Sequence, residues 1–204
     1  EPVAPMNARD IRRQVILAGH RGDPATARAQ LGHADADVRA AALGALERAG
    51  ALEPEDVTAA IGDPSPIVRR RAAEAAGRMP GVSLAALLDD GNATVVEIAA
   101  WACGEQEQVA DDVLDQLIRL ATGHGDVLVR ESAAAALGAI GDVRGLPAIL
   151  AATQDKPAVR RRAVLALAPF DGPEVEAAIE RALTDRDWQV RQAAEDLRRV
   201  TGEV

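Results

Sequence analysis

One phrase of valine, alanine and leucine returns along the chain about every thirty residues. Its copies open on six valines, spaced 27 to 34 residues apart: Val38, Val68, Val95, Val129, Val159 and Val190. The residue four places after each valine is alanine, and turn-forming stretches such as 62–66 and 184–187 precede the copies. Repetition at this period is typical of proteins that stack one short unit many times.

Within each copy the apolar and small residues follow the periodicity of a helix. Positions 0, 4, 7 and 8 after the opening valine, with 1 and 5 beside them, fall on one arc, and position 6 points the other way. Shorter amphipathic stretches lie between the copies, and two of them begin with Pro-Glu, which suits a helix start. We therefore predict helix pairs, each with a helix A and a helix B, after an N-terminal helix over 8–18.

The predicted fold is an all-α solenoid of six helix pairs plus the N-terminal helix, because one pair cannot bury its apolar face alone. The hydrophobic content of 48% contains two Trp, one Phe and no Tyr, which argues against a β-sandwich. We expect a single domain over 1–204, in which residues 1–6 are disordered or foreign to the natural protein. The repeats are expected at about 24–50, 54–79, 82–104, 111–140, 142–169 and 173–200.

The phrase resembles a known repeat. Its form, Asp-x-x-x-x-Val-Arg-x-x-Ala-Ala-x-Ala-Leu-Gly, is similar over about residues 24–200 to the short HEAT-like repeats of the phycobilin-lyase and deoxyhypusine-hydroxylase type. The resemblance implies an α-solenoid whose B helices line an inner, concave surface. Such repeats occur in scaffolds, lyases, hydroxylases and DNA glycosylases, so the resemblance implies the fold more specifically than the function.

An arginine follows the opening valine in five of the six copies: Arg39, Arg69, Arg130, Arg160 and Arg191. In the third copy Val96 takes its place. We expect these arginines to bond turn carboxylates and carbonyls of adjacent repeats in forked geometry. The candidate carboxylates are Asp63, Asp126, Asp155, Asp185 and Asp187. A phosphate-binding stripe is the alternative.

Position 6 and its neighbours at 2, 3 and 10 form the free side of helix B, which is expected to face the groove. The third, fourth and fifth copies carry Trp101, Ala135 and Leu165 there, a predicted apolar strip about 20 Å long. An apolar anchor with charged edges is typical of partner-binding hot spots. Trp101 could instead pack sideways onto the neighbouring helix B. The predicted partner-binding residues are Trp101, Ile98, Leu165, Arg70, Arg71, Arg161 and Arg162.

Charge and cysteine content narrow the classes of partner. The net charge of −9 makes nucleic acid an unexpected ligand, because phosphates would be repelled. No apolar run reaches the ~18 residues that a membrane span needs. The lone Cys103 excludes an internal disulfide and suits a reducing, cytoplasmic location. We expect a monomer.

Candidate catalytic and metal-binding residues are few. His33 and His124 stand five residues before their valines, where other copies have aspartate, so we interpret them as turn caps rather than metal ligands. The hydroxylases of the resembled family bind two irons through His-Glu pairs, and no His-Glu dipeptide occurs here. Cys103 takes a packed leucine position, which predicts a buried, inert thiol. We therefore expect no cofactor, no metal and no catalytic residues.

The leading functional prediction is a non-catalytic scaffold that binds a partner protein or peptide in the concave groove. A lyase-like accessory protein or chaperone for a tetrapyrrole chromophore is the alternative, and it rests on the resemblance alone. Binding of nucleic acid or of a DNA lesion is a weaker alternative, because Glu97, Glu105 and Glu131 surround the predicted site.

Overall fold

The computed structural model describes residues 6–201, and over that range the chain forms thirteen α-helices and no strand. Helix α1 (Ala8–Arg21) begins at Asn7, whose side chain accepts a hydrogen bond from the backbone of Asp10, and ends at Gly22 in the left-handed region (φ 67°). It is therefore longer than the predicted helix over 8–18. The prediction of an all-α fold with six helix pairs after an N-terminal helix is confirmed.

Each pair consists of a helix A and a helix B, and only the lengths of the A helices vary widely. The third A helix has 4 residues and the fourth has 13, which accounts for the uneven spacing of the opening valines. A short 3₁₀ helix, Val143–Gly145, precedes the fifth. The six pairs are α2 (Pro24–Arg28) with α3 (Ala36–Arg48), α4 (Pro54–Ile61) with α5 (Pro66–Ala76), α6 (Ala85–Leu88) with α7 (Ala93–Glu105), α8 (Asp111–Gly123) with α9 (Val127–Ile140), α10 (Leu146–Ala152) with α11 (Pro157–Ala166), and α12 (Pro173–Leu183) with α13 (Trp188–Thr201).

The chain divides into two compact units. Unit 1, Glu1–Ser83, contains α1 to α5, and within it α1 packs against α3 and α3 against α5. Unit 2, Leu84–Val204, contains α6 to α13, and within it α7, α9, α11 and α13 pack in that order. The single domain over 1–204 stays a prediction. The prediction for residues 1–6 lies outside the described residues except at Met6, which is half exposed.

The packed arc of the B helices is buried as the pattern predicts. Positions 0, 4, 7 and 8 are buried in all of the first five copies, and the last copy departs from this at Arg198. A small residue beside this arc also lets neighbouring helices approach closely: a Cβ built on Gly138 of α9, at position 9 of its copy, would lie 2.5 Å from the Cβ of Ala166. Glycine is required at such a position because any larger side chain would force the two helices apart.

Three of the arginines after the opening valines, Arg39, Arg130 and Arg160, join consecutive repeats. Nε and Nη2 of Arg160 donate to the two carboxylate oxygens of Asp185 at 2.9 and 2.7 Å, while Nη1 donates to the carbonyl of Asp155 at 2.8 Å. Arg130 forks onto Asp155 in unit 2 and Arg39 onto Asp63 in unit 1 in the same way. Hydrogen bonds from these arginines hold the pKa of each aspartate below its ordinary value. The structural interpretation of the ladder is confirmed, and the phosphate-binding alternative is not supported.

Of the five candidate carboxylates, Asp126 and Asp187 do not form ladder bonds. The side chain of Asp126 accepts the backbone N–H of Leu128, and that of Asp187 accepts the backbone N–H of Gln189. Both therefore act as helix N-caps, a role that competes for the same carboxylate oxygens.

The ladder is interrupted on both sides of one interface in unit 2. Val96 replaces the arginine of α7 and is buried, and His124 replaces the aspartate of the following repeat. Nδ1 of His124 accepts the backbone N–H of Asp126 at 3.1 Å, just as Oδ1 of Asp185 accepts that of Asp187 at 2.8 Å. The turn is thus capped without a carboxylate, so no acid is left unpaired where the arginine is missing.

Candidate partner-binding face

The free side of three consecutive B helices in unit 2 exposes apolar side chains. Trp101 on α7 is 40% exposed and Leu165 on α11 is 38% exposed, and Ala135 on α9, which lies between those two helices, is partly exposed. Ile98, one turn before Trp101, is also partly exposed. We call this surface the Trp101 face. Because the indole retains this exposure, sideways packing does not enclose it.

Charges divide the Trp101 face into an acidic and a basic end. Glu97 and Glu105 lie one helical turn before and after Trp101 on α7. On α11, Nη2 of Arg161 and Nε of Arg162 lie 3.7 and 3.6 Å from the same oxygen of Glu131. One carboxylate shared by two guanidinium groups leaves a net positive charge at that end.

Arg70 and Arg71, also predicted to bind a partner, lie on α5 in unit 1. Arg71 donates to Glu74 at 2.7 Å and pairs with Glu47 as well, and Nε of Arg70 lies 3.5 Å from Glu74. Arg78 joins the same network through Glu47. Intramolecular pairs therefore occupy both predicted arginines.

A pocket of about 310 Å³ opens on the free faces of α1, α3 and α5 in unit 1. Two exposed isoleucines, Ile16 and Ile67, contribute its apolar surface. The charged residues of its lining are Arg12, Arg48, Arg70, Arg71, Asp37 and Glu74. Sequence reasoning missed this pocket because α1 precedes the first repeat and was not aligned with the B helices. The sequence signal for it is that Arg12 and Ile16 lie four residues apart, and therefore on the same face of a helix.

The remaining candidate residues have structural roles. Nδ1 of His33 accepts the backbone N–H of Asp35 at 2.9 Å, so His33, like His124, caps a turn as predicted. Cys103 is buried, and its burial raises the pKa of its thiol to about 12. Among the described residues, no three His, Cys, Asp or Glu side chains form a group that could hold a metal ion.

One protein-family model matches part of the chain. Residues 81–158 match the family model described as HEAT repeats. The resemblance to HEAT-like repeats is confirmed. The matched segment includes α6 to α10, and therefore Trp101, and ends at the second residue of α11. No curated protein matches the sequence.

Solved structures share the fold at low sequence identity. YibA of Escherichia coli is 17% identical with a TM-score of 0.62, and the match covers 95% of this chain and 75% of that one. The complex of CpcE and CpcF of phycocyanin lyase from Nostoc sp. PCC7120 is 21% identical with a TM-score of 0.57, over 71% of this chain and 97% of that one. A designed armadillo repeat protein in complex with the peptide (KR)4 is 18% identical with a TM-score of 0.58, and the match covers 92% of this chain and 96% of that one. These likenesses show a HEAT- and armadillo-like α-solenoid fold.

Within residues 6–201, no helix is both long enough and apolar enough to cross a bilayer.

Proposed function

We propose that this HEAT-repeat protein is a non-catalytic scaffold that binds a partner protein or peptide on the free faces of its B helices. The observation that carries the proposal is the partial exposure of Trp101 and Leu165 on the packed series α7, α9 and α11. A tryptophan held on a rigid helix loses little conformational freedom on binding, which is why tryptophan is enriched at hot spots.

The energy available at Trp101 is sufficient to matter for binding. A tryptophan side chain has about 250 Å² of surface, so the exposed 40% corresponds to roughly 100 Å². At about 25 cal/mol per Å², covering it stabilises a complex by about 2.5 kcal/mol. Leu165 adds about 1 kcal/mol by the same reasoning. These figures are upper limits on the gain in binding free energy, because ordering of side chains and loss of translational freedom on association offset part of them.

The arginines of the proposed surface set the charge of the partner. Arg161 and Arg162 share Glu131, so an acidic group on the ligand gives the second guanidinium a carboxylate of its own. In unit 1, separately from the Trp101 face, Arg70 and Arg71 are proposed to pair with acidic groups of a partner, in exchange for part of their bonding to Glu74. The Trp101 end, with Glu97 and Glu105 near the indole, accepts a basic or neutral segment instead.

The test compares Trp101→Ala with Trp188→Ala. Trp188 is 64% exposed at the first residue of α13, so its loss removes an exposed tryptophan outside the Trp101 face. Proteins captured from lysate by each immobilised variant are quantified by mass spectrometry, and the stability of each variant is measured by urea unfolding. We expect Trp101→Ala to lose partners that the wild type and Trp188→Ala retain, at nearly unchanged stability.

Two results would overturn the proposal. An unchanged set of partners together with unchanged stability would show that Trp101 has no binding role. Loss of stability with an unchanged set of partners would show that Trp101 serves packing alone. A lysate that yields no specific partner for the wild type also counts against the scaffold.

The tetrapyrrole alternative has no support from individual residues. It rests on a fold shared with the phycocyanin lyase complex at 21% identity, a level at which only the fold is informative. Binding of nucleic acid is disfavoured at the Trp101 face by the carboxylates of Glu97 and Glu105.

A further inference from the structure

The two units differ in charge, and unit 1 concentrates positive charge in its pocket. Residues 1–83 contain eleven arginines and eleven acidic residues, whereas residues 84–204 carry the whole net charge of −9. The pocket lining of unit 1 nevertheless has four arginines against two acids. A neutral unit has thus gathered excess guanidinium groups at one place.

The arginines of this pocket fall into two classes. Arg70 and Arg71 are paired with Glu74, and Arg71 also with Glu47. Arg12 on α1 and Arg48 on α3 are exposed, and no described residue forms an ion pair with either of them. The paired arginines build the wall of the pocket, and the other two are available to a ligand.

Gly44 shapes the floor of the pocket. A Cβ at this position would lie 3.3 Å from both Nε and Nη2 of Arg71, which is tighter than ordinary contact. The glycine therefore lets the guanidinium of Arg71 lie close to helix α3, while the other copies carry a larger residue at this position.

Apolar surface accompanies the charges. Ile16 lies one turn after Arg12 on α1 and is 36% exposed, and Ile67 at the start of α5 is 51% exposed. Residues 1–83 contain no Phe, Tyr or Trp side chain on which a nucleic-acid base could stack. A surface on which arginines lie beside isoleucines is complementary to a ligand whose carboxylates lie beside apolar side chains.

We propose that the unit 1 pocket binds an acidic, amphipathic segment of a partner protein. Carboxylates of the segment pair with Arg12 and Arg48, and its apolar side chains cover Ile16 and Ile67. This inference goes beyond the proposed function, because its ligand contacts, Arg12, Arg48, Ile16 and Ile67, lie outside the predicted partner-binding residues and do not depend on Trp101.

The probe is a fluorescein-labelled peptide, Glu-Glu-Leu-Glu-Asp-Leu-Leu-Glu-Glu, and its counterpart with lysine in place of every acid. Fluorescence anisotropy at low salt measures the binding of each to the full chain. We expect the acidic peptide to bind and the basic one not to, and the affinity to fall as salt is added. Binding of both peptides alike, or of neither, overturns the proposal.

Matched variants locate the site. The double variant Arg12→Glu with Arg48→Glu is expected to lower the affinity for the acidic peptide by about tenfold or more, because two attractive ion pairs become repulsive contacts. Arg13→Glu with Arg21→Glu changes the net charge equally on exposed arginines outside the pocket lining, and should change the affinity less than about twofold. Circular dichroism is used to check that both double variants fold. Equal losses in the two variants would mean attraction by overall charge, and would refute a site.

Other occupants and the Trp101 face are tested in the same experiment. Tighter binding of labelled oligo-dT than of the acidic peptide, lost in the Arg12/Arg48 variant, would assign the pocket to nucleic acid instead. A dimeric mass by light scattering that the same variant makes monomeric would assign it to a second copy of this chain. Both tryptophans lie in unit 2, so Trp101→Ala should leave peptide binding unchanged, and either proposal can fail without the other.

Discussion

The substitution Arg160→Met tests whether the arginine ladder holds the repeats together. The guanidinium makes three hydrogen bonds, two to the carboxylate of Asp185 and one to the carbonyl of Asp155, and its side chain is 9% exposed. Methionine keeps most of the stem but leaves the Asp185 carboxylate, which is 15% exposed, with the backbone N–H of Asp187 as its remaining donor among the described residues. Removing one partner of a buried pair costs about 3–5 kcal/mol. Because this pair retains some exposure, we expect a loss of about 2–3 kcal/mol.

The assay is urea unfolding at neutral pH, monitored by far-ultraviolet circular dichroism. The urea midpoints of the variant and the wild type are compared, and the dependence of the free energy of unfolding on urea should stay the same. Arg144→Met is the matched control, because Arg144 also bonds two aspartates, Asp142 and Asp111, but is 51% exposed. Exposed pairs contribute at most about 1 kcal/mol. If Arg160→Met costs no more than Arg144→Met, the ladder does not stabilise the junction between repeats, and the reasoning from burial is wrong.

Three further predictions concern the ladder and the packing. Val96→Arg alone should destabilise unit 2 by about 3 kcal/mol, because it places an unpaired guanidinium at a buried position. Adding His124→Asp should recover at least about 1 kcal/mol in a double-mutant cycle. Additive effects of the two substitutions would mean that the interrupted position cannot accept the ion pair. Gly138→Ala should lower the free energy of unfolding in urea by about 1–3 kcal/mol, because its Cβ would meet Ala166. Gly123→Ala has open space around it and should be neutral or stabilising. Equal effects of the two substitutions would contradict the close approach of α9 and α11. The ladder aspartates have lowered pKa values, so their contribution to the free energy of unfolding is complete above the ordinary pKa of 3.8 and is lost as pH falls below it. A urea midpoint that stays unchanged between about pH 6 and about pH 3 would contradict this.

The packing side of each helix could be predicted from the sequence in detail. Val159 and Ala163 follow the repeat, and both are buried as expected, because helix periodicity and side-chain size decide which side faces the neighbour. Arg130 was expected to reach a turn aspartate of an adjacent repeat, and it does. His124 was interpreted as a turn cap from its register alone, and its Nδ1 has that role.

The candidate site was less predictable. The free-face position of Trp101 follows from periodicity, but its exposure depends on how the neighbouring helix packs. Arg71 was expected to be available to a ligand, yet it bonds Glu47 and Glu74. Glu47 is 24 residues away in sequence, so no local pattern indicates that pairing. Whether the proposed partner-binding residues act together stays a prediction.

The sequence by itself determined the repeat, its helices, their packed sides and the ladder, because all of these follow from spacing at 3.6 and about 31 residues. Tertiary structure alone decided which charges remain available. An ion pair forms between whichever side chains meet across stacked helices, and long flexible arginines can choose among several acids. Arg12 and Arg48 thus became the available guanidinium groups of the unit 1 pocket, although α5 offers three consecutive arginines in the sequence. Periodic burial is a local property of the chain, whereas the pairing of charges is a property of the assembled fold.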